Sequence, residues 1–137
     1  MKKVGLSLLL TVGVLFGDNI SKAESYFQIG MSYDELKDYT SAIKSYTKVI
    51  ELNPNILEAY YNRGLAHSDL KEYDLAIKDY TVIIESNPNI LEAYINRGWA
   101  YGLSGDYKSA MMDARTACRL GDCAVVQDMA QRGWMTE

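Results

Sequence analysis

An all-α solenoid of stacked helix pairs is the fold class that this sequence predicts, and three observations carry it. The phrase Asn53-Pro54-Asn55-Ile56-Leu57-Glu58-Ala59-Tyr60 returns unchanged 34 residues later, from Asn87 to Tyr94. Each copy is followed by an Asn-Arg-Gly, at Asn62 to Gly64 and at Asn96 to Gly98. A weaker third copy precedes them at the same spacing: Tyr26 aligns with Tyr60 and Tyr94, Gly30 with Gly64 and Gly98, Tyr39 with Tyr73 and Tyr107, and Ala42 with Ala76 and Ala110. A fixed period of this length marks helical hairpins that cannot bury their apolar faces alone and therefore stack.

The period places three helix pairs, each with an A and a B helix. Helix 1A is expected from about Ala23 to Leu36 and helix 1B from about Tyr39 to Leu52. Asn53-Pro54 ends it, because proline cannot continue a helix and disfavours helical geometry in the residue before it. Asn55 is then expected to cap helix 2A, with Glu58 completing the reciprocal bond, and Asn89 with Glu92 to repeat the device for helix 3A. Helix 2B is expected over Tyr73 to Ser86 and helix 3B over Tyr107 to Leu120. There Gly121-Asp122 replaces Asn-Pro. A last helix, about Cys123 to Gln131, presents Val125, Val126, Met129 and Ala130 on one side and reads as a solvating cap, with Trp134 folding back on it.

The helical glycines need a packing reason, since each costs about 1 kcal/mol against alanine. Close crossing of A and B helices supplies one, with Ala42, Ala76 and Ala110 opposite. The B helices are expected to bury Ile43, Tyr46, Val49 and Ile50, then Ile77, Tyr80, Ile83 and Ile84. In the third pair the equivalents shrink to Met111, Ala114, Ala117 and Cys118.

The aligned tyrosines, glycines and alanines, with Pro54 and Pro88 between units, resemble the tetratricopeptide repeat family over roughly residues 23 to 122. The resemblance implies a right-handed superhelix of three antiparallel helix pairs that binds proteins or peptides. The units are then 24–56, 57–90 and 91–122, with 123–137 as the capping helix and tail. It also implies which stripe of the A helices faces the concave groove: Phe27 and Met31, Tyr61 and Leu65, Ile95 and Trp99. A soluble monomer rarely leaves a large contiguous apolar patch in water, so these six are the candidate partner-binding residues. Asn62 and Asn96 beside them would hydrogen-bond an extended peptide backbone, and Glu24, Glu58 and Glu92 would favour a basic or neutral ligand. The other reading is that the stripe is half buried between adjacent A helices and binds nothing specific. Some relatives grip a C-terminal carboxylate with a clamp of basic residues. Here Phe27, Met31, Glu92 and Asn96 stand at clamp positions and only Asn62 matches, so that clamp is absent.

The N-terminal segment reads as targeting. Lys2 and Lys3 precede an uncharged apolar run from Val4 to Phe16, long enough for a signal-peptide core and short for a bilayer span. Ser21-Lys22-Ala23 offers small residues for cleavage after Ala23, so that residues 1–23 are removed and the mature chain, without a membrane span, is periplasmic or secreted. An uncleaved anchor is the alternative. Ser21 to Glu24 also reads as a capping box that cleavage would destroy.

The chain of 137 residues is one domain with a formal charge of −4. Loss of residues 1–23 removes Lys2, Lys3, Lys22 and Asp18, leaving 11 basic against 17 acidic residues, or about −6. That balance argues against nucleic acid as a partner. No phosphate-cradling loop or nucleophile elbow is present. The single histidine, His67, aligns with Tyr33 and Tyr101 on the core-facing stripe and reads as packed. Two cysteines and one histidine cannot make an ordinary four-ligand zinc site. No catalytic residue, metal or cofactor is therefore expected. Cys118 and Cys123 straddle the Gly121 turn; a disulfide tying helix 3B to the cap and a pair of buried thiols both remain open. Arg63 and Arg97 each precede an aspartate, Asp79 and Asp113, by 16 residues, while repeat one has Ile29 and Ser45 at both places. This pattern suggests an A-to-B ion pair in repeats two and three, the alternative being two solvated charges. The resulting expectation is a non-enzymatic interaction module in a bacterial cell envelope, with a self-associating structural subunit as its rival.

Overall fold

The computed structural model describes residues 5–134, with side chains from Gly17 onward. Seven helices follow one another: α1 (Gly5–Glu35), α2 (Tyr39–Leu52), α3 (Leu57–Asp69), α4 (Tyr73–Ser86), α5 (Leu91–Ser104), α6 (Tyr107–Leu120) and α7 (Ala124–Gln131). No strand occurs among the described residues. The chain forms two compact units, Met1–Ala59 and Tyr60–Glu137.

In the first unit α1 and α2 are joined by a three-residue turn. Lys37 takes the left-handed conformation there, at φ 58°. Asp38 caps α2 by accepting the Ser41 N–H at 3.1 Å. Gly30 lies under the ring of Tyr46, leaving no room for a side chain. The Tyr46 hydroxyl donates to Asp34 Oδ2 at 2.6 Å, so the deepest aromatic of this hairpin has a satisfied polar end. Ala23, Ala42, Val49 and Ala59 complete the core.

The expected start of the first helix at Ala23 is corrected. Nothing between Gly17 and Glu24 breaks a helix, so α1 runs straight through that stretch. The capping box at Ser21 does not form, because Ser21 lies inside α1 and not at its start; its carbonyl accepts from Ser25 Oγ at 3.0 Å. The Lys2-Lys3 pair and the side chains of the apolar run lie outside the described residues. Among the described residues no helix is long and apolar enough to cross a membrane.

The second capping expectation is also corrected. Asn55 and Asn89 do not cap the following helices. Instead Asn53 and Asn87 turn their side chains forward, and their Oδ1 atoms accept the N–H groups of Asn55 and Asn89 at 3.1 Å each. These Asx turns set the helix start two residues later, at Leu57 and Leu91.

In the second unit Gly64 lies under Tyr80 as Gly30 lies under Tyr46. The residue matching Asp34 is Ser68, which influences the Tyr80 phenol without reaching a hydrogen bond to it. Burial raises the Tyr80 phenol well above the ordinary value of 10, and only Ser68 acts against that. The third repeat solves the same packing differently. Its tyrosine position is Ala114, fully buried. Met129 from α7 occupies the space over Gly98, and Trp134 occupies the space over Gly102. Trp134 thus turns back from the cap helix, its N–H donating to the Met129 carbonyl at 3.2 Å, and reaches α5 and the start of α6 through Trp99 (5.4 Å, edge-on) and Tyr107 (5.8 Å, stacked). The cap helix buries Val125 and Met129 in a core with Met111, Ala114 and Ala117.

Candidate functional site

The expected groove residues divide between the two units. In the first, Phe27 is 8% exposed and packs edge-on against Tyr46 with ring centroids 5.7 Å apart. It is a core residue, which corrects its assignment to a binding surface. Met31, one turn later, is 40% exposed. A recess opens beside it, lined by Glu24, Phe27, Gln28, Met31, Ile56 and Glu58. Apolar and acidic side chains line it together, and one of its two carboxylates, Glu24, accepts from Gln28 Nε2 at 3.0 Å.

In the second unit the stripe is largely used by the protein itself. Tyr61 is half-buried and meets Tyr80 edge-on at 6.1 Å. Asn96 donates from Nδ2 to the Tyr61 hydroxyl at 3.0 Å, joining α3 to α5 and leaving that amide engaged. Asn62 is half-buried and makes no side-chain hydrogen bond among the described residues. Leu65 remains open at 38% exposure. Ile95 and Trp99 pack against the cluster that holds Met129 and Trp134. The Trp99 ring is covered from a second side by Arg132, whose guanidinium carbon lies 4.8 Å from the ring centroid. Trp99 as a free docking aromatic is corrected: its face belongs to the C-terminal segment.

The Arg–Asp pairs are present and are not the solvated charges of the alternative reading. Arg63 donates from Nε and an Nη to the two carboxylate oxygens of Asp79, at 2.9 and 2.6 Å. Arg97 does the same to Asp113, at 2.8 and 2.9 Å, and its other Nη donates to Thr81 Oγ1 at 3.0 Å. The Asp side chains are only 6% and 7% exposed, so these forks are interior features, stronger than surface pairs. Donation of these hydrogen bonds to Asp113 raises the Arg97 pKa further, so its guanidinium stays charged. The guanidinium of Arg63 also lies over the Tyr60 ring and that of Arg97 over Tyr94 and Tyr101.

His67 is buried at 8% exposure, with Nδ1 2.7 Å from Glu72 Oε2. Glu72 holds the position of Asp38 and Asp106, which cap α2 and α6. It makes no side-chain cap for α4 and turns to the imidazole instead. Sequence reasoning missed this exchange, although histidine replacing Tyr33 and Tyr101 in the same repeat where glutamate replaces aspartate was its signal. Cys118 and Cys123 are joined by a disulfide across the Gly121 turn, their Cα atoms 3.9 Å apart. Among the described residues no group of three or more His, Cys, Asp or Glu is placed to hold a metal ion.

Comparisons agree with this geometry. Residues 23–56 and 91–120 match one model of the tetratricopeptide repeat, and residues 57–90 match another. No curated protein sequence matches the chain. Among solved structures, the TPR domain of Arabidopsis OM64 is 27% identical, covers 83% of this chain and 95% of its own, and superposes with a TM-score of 0.75. The TPR2B domain of yeast Sti1, in its complex with pHsp70, is 28% identical over 82% of this chain and 98% of its own, with a TM-score of 0.74. The second TPR domain of human RPAP3, in complex with the HSP70 peptide SGPTIEEVD, is 25% identical over 82% and 96%, with a TM-score of 0.75. The fold is an all-α helical repeat of this kind.

Proposed function

Because this chain belongs to the tetratricopeptide repeat family, we propose that it is a non-catalytic interaction module whose A-helix face receives an extended segment of a partner protein. The observation that carries the reading is the recess of the first unit. Met31 and Ile56 line it with apolar surface, and Glu24 and Glu58 line it with carboxylates. Such a recess suits an aliphatic or basic side chain and repels an acidic one. Similar domains of Sti1 and RPAP3 are found with pHsp70 and with an HSP70 peptide. This chain has Phe27 and Met31 where a carboxylate clamp has lysine and asparagine, and Glu92 and Asn96 where it has its later basic pair, so its ligand is of different chemistry. In the second unit, taken by itself, Leu65 is exposed and the amide of Asn62 is unengaged among the described residues.

Residues 1–23 are read as a signal removed on export to the cell envelope or beyond, and the Cys118–Cys123 bond suits such an oxidising compartment. The mass of the mature chain tests this: an N-terminus other than Glu24 in the native host removes that part of the reading. For the binding face, selection from a library of displayed peptides is the direct test. Selected peptides should be neutral or basic with an aliphatic anchor, and Met31→Glu with Leu65→Glu should abolish capture while circular dichroism stays unchanged. Acidic peptides whose capture depends on Met31 or Leu65, or neutral and basic peptides whose capture is indifferent to both changes, would overturn it.

A second reading rests on α1. Tyr26 and Ile29 on that helix and Leu36 just after it are exposed at 38%, 45% and 75%, and pairing of two such helices would make the protein a self-associating subunit. Light scattering across a concentration series separates the two, since a constant monomer mass disfavours pairing.

A further inference from the structure

We propose that α5 and α6 form a second docking site, for an acidic peptide segment, on residues unrelated to the A-helix recess. A pocket opens where these helices meet, with Tyr94 and Met112 as its apolar surfaces and Arg97, Arg115 and Arg119 around them. Asp113 is the carboxylate among its lining residues, and it is already spent on Arg97. Arg115 and Arg119 are exposed, one helical turn apart, and neither pairs with a carboxylate among the described residues. In a chain of charge −4, a concave surface with two unneutralised arginines is a local reversal of sign.

The internal repeat shows that the fold does not demand this arrangement. Tyr94, Arg97 and Asp113 recur one period earlier as Tyr60, Arg63 and Asp79, and they are the residues that hold the hairpin together. The pocket's other residues do not recur. Arg115 stands where the first two repeats have Thr47 and Thr81, Arg119 where they have Glu51 and Glu85, and Met112 where they have Lys44 and Lys78. Two changes add positive charge and the third replaces a cation with an apolar side chain, left 60% exposed. A cation in the last turn of α6 is favourable to the helix dipole, which accounts for Arg119 alone. It explains neither Arg115, in the middle of the helix, nor an exposed methionine.

The pocket is also pre-arranged. Arg97 is fixed by three hydrogen bonds, and Arg119 donates to Thr116 Oγ1 at 2.9 Å. Two planar guanidinium groups beside an apolar surface fit carboxylates that flank an aliphatic side chain, each able to take a bidentate bond. The small number of free cations does not suit a polyphosphate backbone, and a single exposed methionine does not suit a bilayer.

The test uses the full chain, a fluorescent synthetic peptide with glutamates on both sides of a leucine, and its lysine counterpart. The glutamate peptide should bind, and more weakly as salt is raised. Arg115→Gln with Arg119→Gln should reduce its affinity by about tenfold, and Leu65→Glu should leave it unchanged. Both arginines are exposed, so circular dichroism of the double variant should match the parent. Equal binding of the lysine peptide, or indifference to the two glutamines, overturns the proposal. Loss of binding in Leu65→Glu would transfer the peptide to the A-helix face. An anionic vesicle or an oligonucleotide that displaces the peptide from these arginines at lower concentration would replace the ligand class.

Discussion

The indole of Trp134 lies over the bare backbone of Gly102, the position that holds Asp34 in the first repeat and Ser68 in the second. The last repeat therefore closes its packing with an aromatic from beyond its own hairpin. Any β-carbon at 102 meets the six-membered ring. Gly102→Ala should cost about 2–3 kcal/mol by urea unfolding, the scale of overpacking a filled core, although alanine is the better helix former. In the Trp134→Ala background the same change should become neutral or stabilising.

The buried forks predict a non-additive result. Asp79→Ser alone removes the carboxylate that faces the Arg63 guanidinium inside and should cost about 3–5 kcal/mol. Adding Arg63→Ile reproduces the pair that repeat one carries, Ile29 with Ser45, and should restore most of the loss. A double-mutant cycle by chemical denaturation measures this coupling.

Two hairpin turns place lysine at positive φ, Lys37 at 58° and Lys71 at 61°, where the third uses Gly105 at 96°. A side chain in that conformation is strained by about 1–2 kcal/mol. Glycine loses some of this advantage through its freer unfolded chain. Lys37→Gly and Lys71→Gly should each raise stability by roughly 0.5–1 kcal/mol, read as a higher urea midpoint.

Hydrogen bonds from Ser41 hold the Asp38 carboxyl below its ordinary value of 3.8, and those from Ser109 do the same for Asp106. A group whose pKa is lower in the folded state contributes stability above its unfolded value and loses it as pH falls through the folded value. The protection factors of the Ser41 and Ser109 amides, taken against the intrinsic exchange rate at each pH, should therefore fall below pH 3.8 and stay level between neutrality and that point. Asp38→Asn keeps a capping oxygen and should remove the acid response at Ser41. The start of α4, which has no side-chain cap, supplies the internal control.

The disulfide predicts a local effect. Cys118→Ser with Cys123→Ser should lower stability by about 2 kcal/mol on the loop-closure scale. Because α7 seats Met129 and leads to Trp134, tryptophan emission should shift before the far-ultraviolet signal falls.

Much of this structure could be read from residue order. The three B helices fall where Tyr39, Tyr73 and Tyr107 place their starts, because proline and glycine punctuate every unit. The Arg–Asp pairing was legible from its joint absence in repeat one. What escaped was local competition among polar side chains: Asn53 outbids Asn55 for the turn, and Glu72 leaves a helix start for His67. The candidate surface was harder still. A stripe at helical spacing states which side of a helix is apolar but not how much of it the protein covers itself, and here Tyr46 takes Phe27 while Arg132 and Trp134 take Trp99.

Ala114, in place of the tyrosines at 46 and 80, gives the molecule a direction of growth. Repeat proteins lengthen by duplicating a cassette, and the cassette 57–90 can be copied ahead of Leu91 because its own tyrosine fills its own hairpin. Splicing that copy behind Leu120 would bring a hairpin to a seat that Met129 and Trp134 already hold. A hairpin placed ahead of Leu91 meets no such obstacle, so one small side chain, Ala114, decides which side of the third hairpin can take another.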